Sequence, residues 1–136
     1  MVIFAPLIIV FLLMKNIRLK FFVPAIIWAA LIFVASSIPD ISTPSFGFKM
    51  VDKIIHFIIF FILGVLISYG FGKGRINSVN IFWISIGITI LYGIFDEFHQ
   101  FFVPGRHMDA FDVLADALGA ATASGLYSLK LKRRVQ

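Results

Sequence analysis

No cysteine occurs among the 136 residues, which excludes disulfides and thiolate metal ligands. Charge is scarce as well. Asp, Glu, Lys and Arg make up 14% of the chain, where a soluble domain carries about a quarter. With 60% hydrophobic residues and a mean hydropathy of +1.01, too little polar surface remains to cover a water-soluble globule. The composition is that of an integral membrane protein. Also missing are the G-x-S-x-G, Walker, Rossmann and H-E-x-x-H patterns. No internal repeat or low-complexity tract stands out. The net charge of +5 gives no ground for a nucleic-acid partner, because the basic residues sit between apolar runs and at the C-terminus, where they read as topology signals.

What the chain does have is apolar runs. Four of them, at residues 21–38, 51–71, 79–102 and 109–129, approach or exceed the roughly 20 helical residues that cross a bilayer. The predicted fold is all-α: one membrane domain over residues 1–136, a bundle of four long transmembrane helices plus a short N-terminal apolar helix. Residues 1–20 form the N-terminal apolar segment and basic loop, 21–129 the core bundle, and 130–136 a basic tail. Residues 1–14 are short for a span. No basic stretch precedes them and no small-residue cleavage site follows, so they do not read as a signal peptide. A short membrane helix is expected there, with an interfacial helix as the alternative. Pro24 falls in a first helical turn, where proline is tolerated. Pro39, Pro44 and the Val-Pro-Gly at 103–105 mark loops.

Three basic clusters set the orientation. Lys15, Arg18 and Lys20 precede the first long run, Lys73 and Arg75 separate the second and third, and Lys130, Lys132, Arg133 and Arg134 follow the fourth. Alternating spans put all three on one side, which the positive-inside rule makes cytoplasmic. The C-terminus is therefore expected in the cytoplasm, with the acidic residues at the opposite face.

Those acids are concentrated. Residues 96–116, DEFHQFFVPGRHMDAFDVLAD, hold five of the seven acidic residues and two of the three histidines. Helical spacing gathers them. Asp52 and His56 share a face four residues apart, as do Asp96 and Gln100, with Glu97 and His99 flanking. Asp109, Asp112, Asp116 and Gly119 form one stripe. Asp116 lies about 10 Å deeper than Asp109 at 1.5 Å per residue. An aspartate at a helix centre costs about 2.5–3.5 kcal/mol to insert. Three helices can share that cost by facing one another around a pocket lined by Asp52, His56, Asp96, Glu97, Gln100, Asp112 and Asp116. Arg106 is the cation best shaped to hold carboxylates or a phosphate. Simpler roles compete. Asp109 and Asp112 suit a helix N-terminus, Lys53 suits snorkelling to headgroups, and Gly64, Gly119 and Gly125 suit close helix packing. His56, Asp112 and Asp116 also fit a purely structural hydrogen-bond network. Asp116 is expected either to hold a proton or to pair with Arg106 or a histidine.

The motifs resemble the VanZ-like family of small bacterial membrane proteins, named for a teicoplanin-resistance protein. The Ser-Ser-Ile-Pro at 36–39 looks like the end of the family's early span. DKIIHFIIFFILG at 52–64 resembles its D-K-x-x-H-F motif. DEFHQFFVPGR at 96–106 resembles its acidic, glutamine-containing motif followed by Pro-Gly-Arg. DVLADALG at 112–119 resembles its D-x-x-x-N-x-x-G motif, with Asp116 where asparagine is usual. The resemblance implies a multi-pass protein of the bacterial plasma membrane and cell envelope, with a role in glycopeptide antibiotic resistance. It transfers Asp52, His56, Glu97, Gln100, Arg106 and Asp112 as site residues.

Three functions fit. One is binding or processing of an envelope lipid or lipid-linked headgroup, with Asp52, His56, Asp96, Glu97, Gln100, Arg106, Asp112 and Asp116 as the binding set and His56, Glu97 and Asp112 as candidates for chemistry. A second is a non-enzymatic membrane component whose polar cluster serves packing and partner contact. A small transporter ranks last. His56 and His99 with the carboxylates could hold a divalent metal, but spacing across helices is unspecific and assigns none; no cofactor is named, and the bilayer is the expected partner.

Overall fold

The computed structural model describes residues 19–39, 46–74 and 76–135. The expected N-terminal helix at 1–14 and the basic positions Lys15, Arg18 and Arg75 lie outside them. A 3-10 turn, Leu19–Phe22, leads into α1 (Val23–Ser36); α2 (Phe46–Gly72), α3 (Ser78–Gln100) and α4 (Ala110–Val135) follow. The described residues contain no strand.

Local chemistry sets the ends. Pro24 occupies the first turn of α1, where its missing N–H costs nothing. Asn77 caps α3 by accepting the Asn80 N–H at 2.8 Å, the usual service of an N-cap amide. The turn after α3 uses Gly105 at φ 79°, a left-handed conformation that favours glycine. Asp109 then accepts the Phe111 N–H at 2.9 Å and caps the start of α4.

Three stretches, Leu19–Ser36, Met50–Gly72 and Ser78–Gln100, are long and apolar enough to cross a membrane. The fourth expected span is a helix, but α4 is not among them. Asp112, Asp116 and the basic residues from Lys130 onward, with many Ala, Gly and Ser between, dilute its hydropathy. It holds its place through packing. At Gly64 an added Cβ would lie 3.0 Å from the Ala123 Cβ, and at Gly119 it would strike the Phe57 carbonyl. The α2 and α4 backbones therefore meet at a small-residue seam, the usual device for close helix approach in lipid.

The apolar core joins Ala25 and Ile32 of α1 to Phe60, Leu63 and Ile67 of α2 and Ile81 of α3. Two polar tips tie α1 down: Trp28 Nε1 donates to the Ile59 carbonyl at 3.0 Å and the Tyr92 hydroxyl to the Ala29 carbonyl at 2.6 Å. Ile26, Trp83, Leu91 and Phe111 are exposed, as expected of a lipid-facing rim. The ends differ in charge. Lys20 and Lys73 both lie over the Phe21 ring, at 5.3 and 5.9 Å, so the basic loops share one end. The described acidic residues collect at the other.

Candidate functional site

At the acidic end α1, α2 and α3 enclose a cavity of about 200 Å³. Its polar wall is Ser36, Asp52, His56, Asp96, Gln100 and Arg106, and its apolar wall includes Ile32, Ile55, Ile59 and Phe60. Asp52 and Arg106 are the partly exposed members of the polar wall, while His56, Asp96 and Gln100 are buried.

Asp96 is fixed from both sides. Its Oδ1 accepts from the Ser36 hydroxyl at 2.5 Å and its Oδ2 from Gln100 Nε2 at 3.0 Å. The end of α1 thus docks on α3, and Ser36, which the sequence marked only as part of the motif that ends the first long run, is a wall residue. His99 completes that joint: its ring stacks on Phe33 at 4.4 Å and its Nε2 lies 2.9 Å from Ser37 Oγ.

Behind His56 lies a second layer. Its Nδ1 is 3.0 Å from Asp116 Oδ1, and its Nε2 faces Glu97 Oε1 at 3.9 Å. Glu97 Oε2 accepts the Asp109 N–H at 2.8 Å, joining α3 to the start of α4. Asp116 is fully buried. Of the expected pocket residues, Asp52, His56, Asp96 and Gln100 meet at the cavity; Glu97, Asp112 and Asp116 do not line it. Of the two partners expected for Asp116, the histidine is the one in contact.

Lys53 does not simply snorkel. Its ammonium donates to Asp109 Oδ2 at 2.8 Å and to Asp112 Oδ1 at 2.9 Å, pinning the first turn of α4 to α2. The role of holding two acids, assigned from sequence to Arg106, belongs to Lys53. The signal was present: Lys53 is a cation inside an apolar run, beside the one acid of that run. Arg106 instead donates from Nε to the Ile38 carbonyl at 3.3 Å. Among the described residues its terminal guanidinium nitrogens meet no carboxylate, and Arg106 is one of the residues that line the cavity.

A family model described as VanZ/LLP1 matches residues 1–131. An uncharacterized protein of Schizosaccharomyces pombe is 31% identical over 93 residues, which make up 68% of this chain and 56% of the yeast protein. The match thus spans little more than half the length of that relative. No solved structure matches the chain.

Proposed function

The chain belongs to the VanZ/LLP1 family, and from that premise we propose that it binds a phosphate-bearing lipid headgroup at the acidic end of its bundle. The observation that carries the reading is Arg106. Arg106 lines a mostly apolar cavity, and no acid within the described residues takes its outer donors. A planar guanidinium matches a phosphate bidentately. The cavity size supports a headgroup over a larger ligand, since about 200 Å³ is below the roughly 300–1,000 Å³ of drug-sized pockets. Asp52 and Asp96 on the same wall suit a cationic or hydroxyl group beyond the phosphate. Ile55, Ile59 and Phe60 suit the first carbons of the lipid. If a reaction follows, His56 is the candidate that reaches the cavity.

In the setting the resemblance implies, the protein lies in a bacterial plasma membrane with the acidic end outward and the C-terminus cytoplasmic. A lipid-linked envelope precursor is then within reach, and glycopeptide susceptibility is the expected phenotype. The test is Arg106→Lys, which keeps the charge and loses the fork. Purified variant and wild type are compared for thermal stability in detergent and for phospholipid retention by native mass spectrometry. The reading expects unchanged stability with most retention lost. A destabilised variant that retains lipid like wild type would make Arg106 an internal clamp and end the headgroup assignment.

A further inference from the structure

We propose that His56, Asp96 and Glu97 form a binding site for a divalent transition-metal ion of the zinc and manganese class. The spacing of these residues in the sequence does not show it; it shares His56 and Asp96 with the cavity wall but does not depend on the headgroup reading. All three residues are buried, and one ligand atom of each lies within 4.8 Å of the others. The pointer to an ion is Glu97 Oε1. Glu97 is 1% exposed, and this oxygen has no hydrogen-bond partner. It faces His56 Nε2 at 3.9 Å. That gap is too long for a hydrogen bond. Two metal–ligand bonds of about 2.1 Å meeting at a common ion do span it.

The imidazole is prepared for this. Its Nδ1 lies 3.0 Å from Asp116 Oδ1. A carboxylate there accepts a proton carried on Nδ1, and in the neutral imidazole that tautomer leaves the Nε2 lone pair turned towards Glu97, the arrangement that supports metal-bound histidines. Asp96 is oriented by Ser36 and Gln100, one on each oxygen, and each carboxylate oxygen keeps a second lone pair. One nitrogen and two carboxylate oxygens suit zinc with an open fourth position, or manganese.

Charge argues the same way. The acidic end gathers Asp52, Asp96, Glu97, Asp109, Asp112 and Asp116. Against these six carboxyls the described side chains set two permanent cations, Lys53 and Arg106. Four of the six, Asp96, Glu97, Asp112 and Asp116, are buried, and buried charge in excess of its cations must be neutralised by protons or by a bound ion. Asp52, His56 and Asp112 form an overlapping group of the same compactness. It is the weaker choice, because Asp112 already takes Lys53 and Asp52 is partly exposed.

The experiment uses the full chain in detergent, stripped with chelator and reloaded with Zn²⁺ or Mn²⁺ alone. Bound metal is counted by elemental mass spectrometry, and melting is followed with and without the ion. About one ion per chain and a raised melting temperature are expected. Glu97→Gln keeps an acceptor for the Asp109 N–H and removes the ligand charge. It should weaken binding on the order of 100-fold, at least the loss seen when an outer-shell partner is removed. Asp52→Asn should leave the ion bound. A folded wild type that retains neither ion overturns the assignment, as does Glu97→Gln binding like wild type, or Asp52→Asn losing the ion while Glu97→Gln keeps it. Lipid retention on the same samples keeps the two proposals separate: a chain that holds the ion but no phospholipid removes the headgroup reading alone.

Discussion

Asp116 fits into the bundle because residue 93 is glycine. A Cβ on Gly93 would lie 2.8 Å from Asp116 Oδ2 and 3.1 Å from its Cβ, so the α3 backbone itself is the wall against which this buried carboxyl rests. In a helix interior Gly→Ala ordinarily gains about 0.5–1 kcal/mol. Here overpacking, which costs roughly 1–3 kcal/mol, should prevail. Gly93→Ala is expected to lose about 1–2 kcal/mol in detergent melting, and to lose less in an Asp116→Ala background. A stabilised Gly93→Ala would show that the two helices do not meet there.

Lys53 bonds one acid that is 37% exposed and one that is 6% exposed, measured on their side chains. Exposed pairs contribute about 0–1 kcal/mol, so nearly all the effect resides with Asp112. Lys53→Met leaves that carboxylate buried without its cation, and a loss of about 3 kcal/mol is expected. Adding Asp112→Asn should recover much of it. Equal losses in the single and double variants would show that Asp112 does not depend on Lys53.

Asp116→Asn should fold within about 1 kcal/mol of wild type. The amide oxygen still accepts from His56 Nδ1, and a buried charge disappears. The new amino group meets Gly93 without an acceptor, a penalty of roughly 1–3 kcal/mol that offsets the gain. Asp116→Leu, which removes the acceptor, should fall well below Asp116→Asn in folded yield.

The absence of cysteine makes the chain ready for single-cysteine labelling. Pro104→Cys should react with a membrane-impermeant maleimide on intact cells, and Lys132→Cys only after permeabilisation, because the basic end is expected to face the cytoplasm. The reverse pattern would place the acidic cavity inside and remove an envelope ligand.

Much of this was legible in the sequence because helical spacing is local. Asp52 with His56, and Asp112 with Asp116, follow from 3.6 residues per turn, and their common end follows from alternating spans. What spacing cannot tell is which helix a side chain faces. Lys53 is one residue from Asp52, about 100° around the helix, and that rotation sends it to α4 while Asp52 faces the cavity. Glu97 and Asp96 divide the same way, the first towards α4 and the second towards α1. The α3 stripe of Ser85, Thr89 and Gly93, all buried, repeats every four residues and marked the buried face. Such small residues are inconspicuous in a sequence beside charge.

The glycine seam between α2 and α4 also bears on how the chain is made. A translocon that weighs each segment as it emerges finds ample reason to release α2 and α3 into lipid, but α4 offers it two aspartates and many small residues. Most of that helix's claim to the membrane is held by α2, in the groove at Gly64 and in the Lys53 ammonium waiting for Asp109 and Asp112. Synthesis runs in the order this needs, since α2 leaves the ribosome well before α4. The last helix is therefore delivered to a berth rather than to a solvent, and lesions in the second helix would strand the fourth.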